Sequence, residues 1–228
     1  VSLYADLMKI SPNPFSVFYK WDGRYCLSAS PERFLNKKGR EVISQPMKGT
    51  FPRSADPQQD ELLRLQLANS QKDQSENVMI VDLVRNDLSK FSRRGTVAVT
   101  ELFGIRSFPL VHQMVSTIRG EAGEGIHWTK ILSDCFPMGS MTGAPKKKVV
   151  ELIDLYEVAP RGLYSGSIGY VDPSGDFDFN VVIRSIQYNQ STGYISAMAG
   201  SALTAGCDPE KEYDECLLKL STMRKALE

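Results

Sequence analysis

The stretch SQPMKGTFPR, residues 44–53, sets Lys48 two positions after a proline and directly before a Gly-Thr pair. An amine with the ordinary lysine pKa near ~10.4 is neutral in only about one molecule in 2,500 at pH 7, so a nucleophilic lysine needs burial or a nearby cation. Glu32, in SASPERF, is separated from Lys48 by one hairpin, which allows a carboxylate and an amine on adjoining strands. That pair offers an acid and a nucleophile. The same lysine also reads as a solvated charge on a turn held by Gly49 and Thr50.

Near the C-terminus, DPEKEYDECLLK places Glu212 and Glu215 three apart and Lys219 seven beyond Glu212, all on or near one helical face. Two carboxylates at that spacing can share Mg²⁺, which takes one or two carboxylates and completes its shell with water and substrate oxygens. The spacing fits equally a solvated acidic face on which Glu215 pairs with Lys219 at i+4. Glu76, just before an apolar helical run, suits the helix dipole and by itself is uninformative. In the same run Asp82, Arg85, Asn86 and Asp87 read as a salt-bridged network that ties a helix to its loops.

His112 shares a strand face with Leu110, Met114, Ser116 and Ile118 and reads first as a hydrogen-bonded structural residue. Arg184, in VVIRSIQY, is a charge inside an apolar strand pattern and needs a carboxylate partner if it turns inward. Tyr164, in GLYSGSIGY, can be core or can present its hydroxyl to a ligand. GSMTGAPK, with Thr142, precedes a helix start, where backbone N–H groups can receive an anion, and reads equally as an ordinary Gly-rich connection.

These groups need a frame. FSVFYKW and RYCLSAS flank an Asp22-Gly23 hairpin, RFLNK and REVISQPM flank a turn at Gly39, and TVAVTELF, LVHQMVSTIRG, LYSGSIGYV, FDFNVVIRSIQY and GYISAMAG continue the strand patterns. Helices are expected after Asp56-Pro57, over DQSENVMIVDLVRNDLSK, over GIHWTKILSDCF, after Pro145 and after Asp208-Pro209. Hairpin runs of strands with helices inserted between the runs argue for an α+β fold, since a parallel sheet would require a helix after every strand. No repeat or linker composition divides the chain, so 1–228 reads as one domain. Its opening, VSLYADLMKISPNP, leads almost at once into strand pattern and reads as the continuation of a longer polypeptide.

Lys+Arg and Asp+Glu both number 27, so the formal net charge is zero and gives no whole-chain attraction to nucleic acid or to an anionic membrane. The 4 cysteines have no C-x-x-C or metal-finger spacing and read as free thiols in a reducing compartment. There is no apolar run of about 18 residues and no signal-peptide order, so a cytoplasmic location is expected.

Taken in order, SASPERF, QPMKGTFPR, SENVMIVDLVRNDL, VHQMVSTIRG, FPMGSMTGAPK, YSGSIGY, VVIRS and EKEYDECLLK resemble the motifs of the chorismate-utilising enzymes, a family that includes the anthranilate, aminodeoxychorismate, isochorismate and salicylate synthases. The resemblance implies an α+β fold of two orthogonally packed antiparallel sheets flanked by helices. It implies Mg²⁺ held by Glu76, Glu212 and Glu215, with Arg184 and Tyr164 binding a substrate carboxylate beside backbone N–H groups around Gly200. Thr142, His112 and Lys219 match residues near the ring and the metal, and Glu32 matches the acid that protonates a departing hydroxyl. Where the anthranilate synthases resemble P-I-A-G-T, this chain carries Lys48, like the members that aminate chorismate at C4 through a lysine adduct at C2. Ammonia from a glutamine amidotransferase partner or fused domain is expected with that branch; anthranilate synthesis or silent chorismate binding are the rival readings. The family's A-G-G-G-I stretch reads AGSALTAG here, which puts Ser201 and Ala202 at positions usually glycine or small.

Overall fold

The computed structural model describes residues 1–228 as an α+β protein with two antiparallel sheets. The first half of the chain holds α1 (Ser2–Ile10), β1 (Phe15–Trp21), β2 (Arg24–Ser30), β3 (Arg33–Lys38), β4 (Glu41–Gln45), β5 (Met47–Pro52), α2 (Pro57–Ala68), α3 (Gln71–Ser89) and β6 (Ala98–Ser107). The second holds β7 (Val111–Glu121), α4 (Trp128–Cys135), a 3₁₀ turn (Gly139–Met141), α5 (Lys146–Tyr156), β8 (Gly169–Val171), β9 (Phe177–Asn180), β10 (Ser185–Asn189), β11 (Tyr194–Ala197) and α6 (Pro209–Leu227). Within the span read as a single domain, the chain forms two compact units. One is built from Val1–Pro31, Arg161–Ile168 and Val182–Glu228, the other from Glu32–Pro160 and Gly169–Val181.

The first unit contains the sheet β1-β2-β10-β11. Its β1–β2 hairpin closes on Asp22 and Gly23, which both take positive φ (47° and 72°), as a two-residue turn matched to strand twist requires. On this sheet Leu7, Leu27, Ala29, Ile186 and Met223 form a buried core, joined by Leu3, Tyr4 and Met8. Burying each such large apolar side chain contributes about 1.5–3 kcal/mol. The core therefore depends on α1, a helix not expected from the sequence, in which this stretch reads as a lead-in to the strands. The apolar residues Leu3, Leu7 and Met8 share one helical face against the sheet and α6. At the start of α6, Asp208 accepts a hydrogen bond from Glu210 N and Pro209 occupies the first turn, as expected of a capped helix.

The second unit carries the sheet β5-β7-β4-β3-β9-β8. Its longest strand, β7, pairs with β4 and β5 along one edge and with β6 along the other. Helices α2 and α3 pack on β5 and β7. Asp56 caps α2 by accepting from Gln58 N at 3.0 Å, and Ser70 caps α3 by accepting from Asp73 N at 3.3 Å.

Three strand expectations change. Lys48 lies within β5, opposite Met114, and the expected turn at Gly49-Thr50 is a bulge, where the register slips between Lys48 and Thr50 and Gly49 takes φ +82°. FDFNVVIRSIQY is not one strand: β9 ends at Asn180, β10 begins at Ser185, and the two belong to different sheets. Only Gly169–Val171 of LYSGSIGYV is strand, and Tyr164 sits in a turn before it. In each case the residue composition suits a strand, while a positive-φ residue (Gly49, Arg184, Ser165) breaks the ladder.

Candidate functional site

The residues singled out in the sequence fall into two sets, one in each unit. In the second unit, Glu32 stands immediately before β3 and is buried. Its carbonyl accepts from Val181 N at 3.1 Å, and the next residue, Arg33, grips Asp178 with Nε and Nη2 (3.0 and 2.9 Å) while Nη1 donates to Gln45 at 2.8 Å. A bidentate pair of this kind fixes the corner on which Glu32 stands. Glu32, Ser44, Asp87 and Ser140 are among the residues lining a cavity with room for about one water.

Lys48 is half-buried on β5, and the bulge beside it is set against α3: a Cβ on Gly49 would come within 2.8 Å of Asp73 Oδ1. Glycine is therefore required for space as well as for backbone conformation. Glu76, one turn further along α3, is buried and has Lys72 Nζ at 3.9 Å. Thr142 closes the 3₁₀ turn, with its hydroxyl donating to Met138 O at 2.9 Å.

His112 is fully enclosed, with Nδ1 2.8 Å from Ser107 Oγ and Nε2 3.1 Å from Asp60 Oδ1. Both ring nitrogens thus have protein partners, the pattern of a histidine that fastens elements together. Asp60 is also held by the Arg53 fork, with Nη2 at 2.7 Å, and by Ser54 N; those donors, the guanidinium foremost, hold its carboxyl far below the usual carboxylate range. The network expected around Asp87 is present: Asp87 receives Lys90 Nζ at 2.8 Å and Lys146 Nζ at 2.6 Å. Lys146 also donates to Cys135 O at 2.9 Å, and so links α3, α4 and α5. All four cysteines are free, and burial pushes the Cys135 thiol up to about 12 and the Cys26 thiol up to about 11, so both are inert thiols at neutral pH.

In the first unit, Arg184 occupies the corner before β10 with φ +50°, and its carbonyl accepts from Ala29 N at 3.0 Å. Burial lowers the Arg184 guanidinium pKa, while the nearby Glu215 and Tyr164 oppose that shift. Glu215 acts on Arg184 through its charge, while its ion pair is with Lys219. Tyr164 is buried, and a Cβ placed on Gly200 would lie 3.0 Å from its hydroxyl, so a side chain at 200 would crowd this contact. Lys219 Nζ meets Glu215 Oε1 at 2.6 Å and donates to Gly200 O at 2.9 Å, realising the i+4 pairing read in the sequence and also tying the loop to α6.

Glu212, on the first turn of α6, is 4% exposed, and Ser201 Oγ donates to its Oε2. The bond joins residues eleven apart, so a hydroxyl at 201 carries no local signal of it in the sequence. As a donor set for a cation, Glu212 and Glu215 offer two carboxylates at i, i+3, which matches the one or two that Mg²⁺ takes from protein. Within neither unit do three or more His, Cys, Asp or Glu side chains gather into a metal cluster. No helix is long and apolar enough to cross a membrane.

Comparison with known proteins bears on what this assembly is. Residues 1–225 match the family of chorismate binding enzymes. A probable aminodeoxychorismate synthase, chloroplastic, of Oryza sativa subsp. japonica is 44% identical over 232 residues, covering 100% of this chain and 26% of the relative. Aminodeoxychorismate synthase component 1 of Escherichia coli (strain K12) is 41% identical over 225 residues, 99% of this chain and 49% of the relative. The crystal structure of anthranilate synthase component I from Streptococcus pneumoniae TIGR4 superposes with a TM-score of 0.85 at 27% identity, over 97% of this chain and 49% of that one. The chain thus spans between about a quarter and a half of the length of these relatives. With its two antiparallel sheets, its ordered motifs and a match along nearly its whole length, the chain belongs to the chorismate binding enzyme family.

Proposed function

We propose that the protein aminates chorismate at C4 with ammonia to give 4-amino-4-deoxychorismate, the precursor of 4-aminobenzoate and folate. The observation that carries this reading is Lys48, half-buried on a bulged strand at the position where the resemblance separates lysine-bearing para-aminating enzymes from anthranilate synthases. The identities of 44% and 41% to aminodeoxychorismate synthases, over all or nearly all of this chain, support it.

In this reading the Lys48 amine forms a bond to C2 of the ring as the C4–O bond breaks, and the hydroxyl leaves as water with a proton from Glu32. Ammonia then bonds to C4, the Lys48–C2 bond breaks, and the net change is chorismate plus ammonia to aminodeoxychorismate plus water. Arg184 and Tyr164, with backbone N–H groups around Gly200, bind the enolpyruvyl carboxylate. Thr142, His112 and Lys219 stand nearer the ring and the metal, His112 acting through the elements it fastens. Bound Mg²⁺ would neutralise the ring carboxylate, and Glu76, Glu212 and Glu215 are the carboxylates assigned to it. Glutamine amidotransferase, as a subunit or fused domain, is the ammonia source assigned to the protein, and the cytoplasm its location.

The test is the regiochemistry of the product formed from chorismate, MgCl₂ and an ammonium salt at high pH. A para-aminated product is expected. Fluorescent anthranilate as the main product would reassign the protein to ortho amination, and chorismate binding without turnover would make it a silent binding module.

A further inference from the structure

The loop between β11 and α6 is fastened to the helix by two side-chain bonds, Lys219 Nζ to Gly200 O at 2.9 Å and Ser201 Oγ to Glu212 Oε2. The second is unexpected from the motif, in which position 201 is glycine or small. It acts on a carboxylate that is 4% exposed, and burying such a group is costly unless a hydrogen bond compensates. A hydroxyl on one carboxylate oxygen does two things. It fixes the orientation of the carboxyl plane, and it occupies an oxygen that a cation would otherwise compete for, which favours ligation through a single oxygen. One-oxygen carboxylate ligation suits the small octahedral shell of Mg²⁺, whereas Ca²⁺ readily takes both oxygens of one carboxylate.

We propose that Ser201 is a positioning residue for the cation, holding Glu212 as a one-oxygen ligand and so setting both the affinity for Mg²⁺ and its preference over Ca²⁺. This rests on the reading of Glu212 as a cation ligand. Loss of a hydrogen bond that orients a metal ligand typically lowers metal affinity about 10–100-fold. Serine to threonine keeps the hydroxyl, and serine to alanine or glycine removes it with little change in volume, glycine being the residue the motif tolerates.

The experiment is calorimetric titration of the intact protein with MgCl₂, and separately with CaCl₂, for the wild type, Ser201→Ala, Ser201→Gly, Ser201→Thr and Glu212→Gln, with thermal unfolding to confirm equal folding. Expected are a loss of about tenfold or more in Mg²⁺ affinity for Ser201→Ala and Ser201→Gly, a smaller loss for Ca²⁺, and recovery in Ser201→Thr. Wild-type Mg²⁺ affinity in both hydroxyl-free variants, with binding lost in Glu212→Gln, would overturn the role of Ser201 and leave Glu212 as a ligand. Unchanged binding in Glu212→Gln, or no Mg²⁺ binding by the wild type, would overturn the ligand assignment and the proposal with it.

Discussion

Gly49 shows how a single position can be constrained twice. Its φ of +82° costs a residue with a Cβ about 1–2 kcal/mol, and that Cβ would also lie 2.8–2.9 Å from Asp73 side-chain atoms. Gly49→Ala should therefore lower stability by about 1–3 kcal/mol in urea titration, and Asp73→Ala in the same background should recover the steric part and leave the backbone part. Asp60 gives a pH prediction. Its folded pKa is depressed, chiefly by Arg53, so the stabilisation it contributes is present above the ordinary aspartate value near ~3.9 and is lost as pH falls below it. Asp60→Asn should flatten the loss of Tm on the acid side, below about pH 4; parallel curves for the two proteins would contradict this. Residue type and spacing make Lys48, Glu32 and the two α6 glutamates candidates in the sequence. They do not show Ser107 and Asp60 around His112, or Ser201 on Glu212, because those partners meet only through pairing and packing.

Among the elements, the helices were the more readable. Asp56 and Asp208, with Pro57 and Pro209 in the first turns, mark their helix starts in the sequence, whereas α3 starts at Gln71 on a Ser70 cap, two residues before the expected Asp73. The exception, α1, is short, and its apolar face acquires meaning only against Leu27, Ile186 and Met223. Leu7→Ala should cost about 2–5 kcal/mol by denaturant unfolding, as for other fully buried leucines, and a loss below 1 kcal/mol would mean that α1 is dispensable. Strands failed where the chain changes sheets: an apolar run such as FDFNVVIRSIQY satisfies two ladders as well as one, and only the corner at Val181–Arg184 divides it. The ion cluster on Asp87 joins three helices. Asp87→Ala leaves Lys146 without its carboxylate in a mostly enclosed place and should destabilise by about 3–5 kcal/mol, well above a surface pair such as Lys148–Glu151, worth about 0–1 kcal/mol.

For the molecule as a whole, the α+β class followed from hairpin runs interrupted by helices, and both sheets are antiparallel as that reasoning required. The two units have no counterpart in composition, because each is assembled from separated segments that change over at Pro31–Glu32, Pro160–Arg161, Ile168–Gly169 and Val181–Val182. A linker signature marks domains laid end to end and cannot mark units that interleave. The formal net charge of zero gives the molecule no general attraction for anions or cations. The proposed covalent use of Lys48 is tested most directly by mass spectrometry of proteolytic peptides after incubation of the protein with chorismate and MgCl₂ in the absence of ammonia. The peptide containing Lys48 is expected to gain the mass of chorismate less one water, and Lys48→Ala to lose the label while still binding chorismate. An unmodified Lys48 peptide from a protein that then yields para-aminated product on adding ammonium would contradict it.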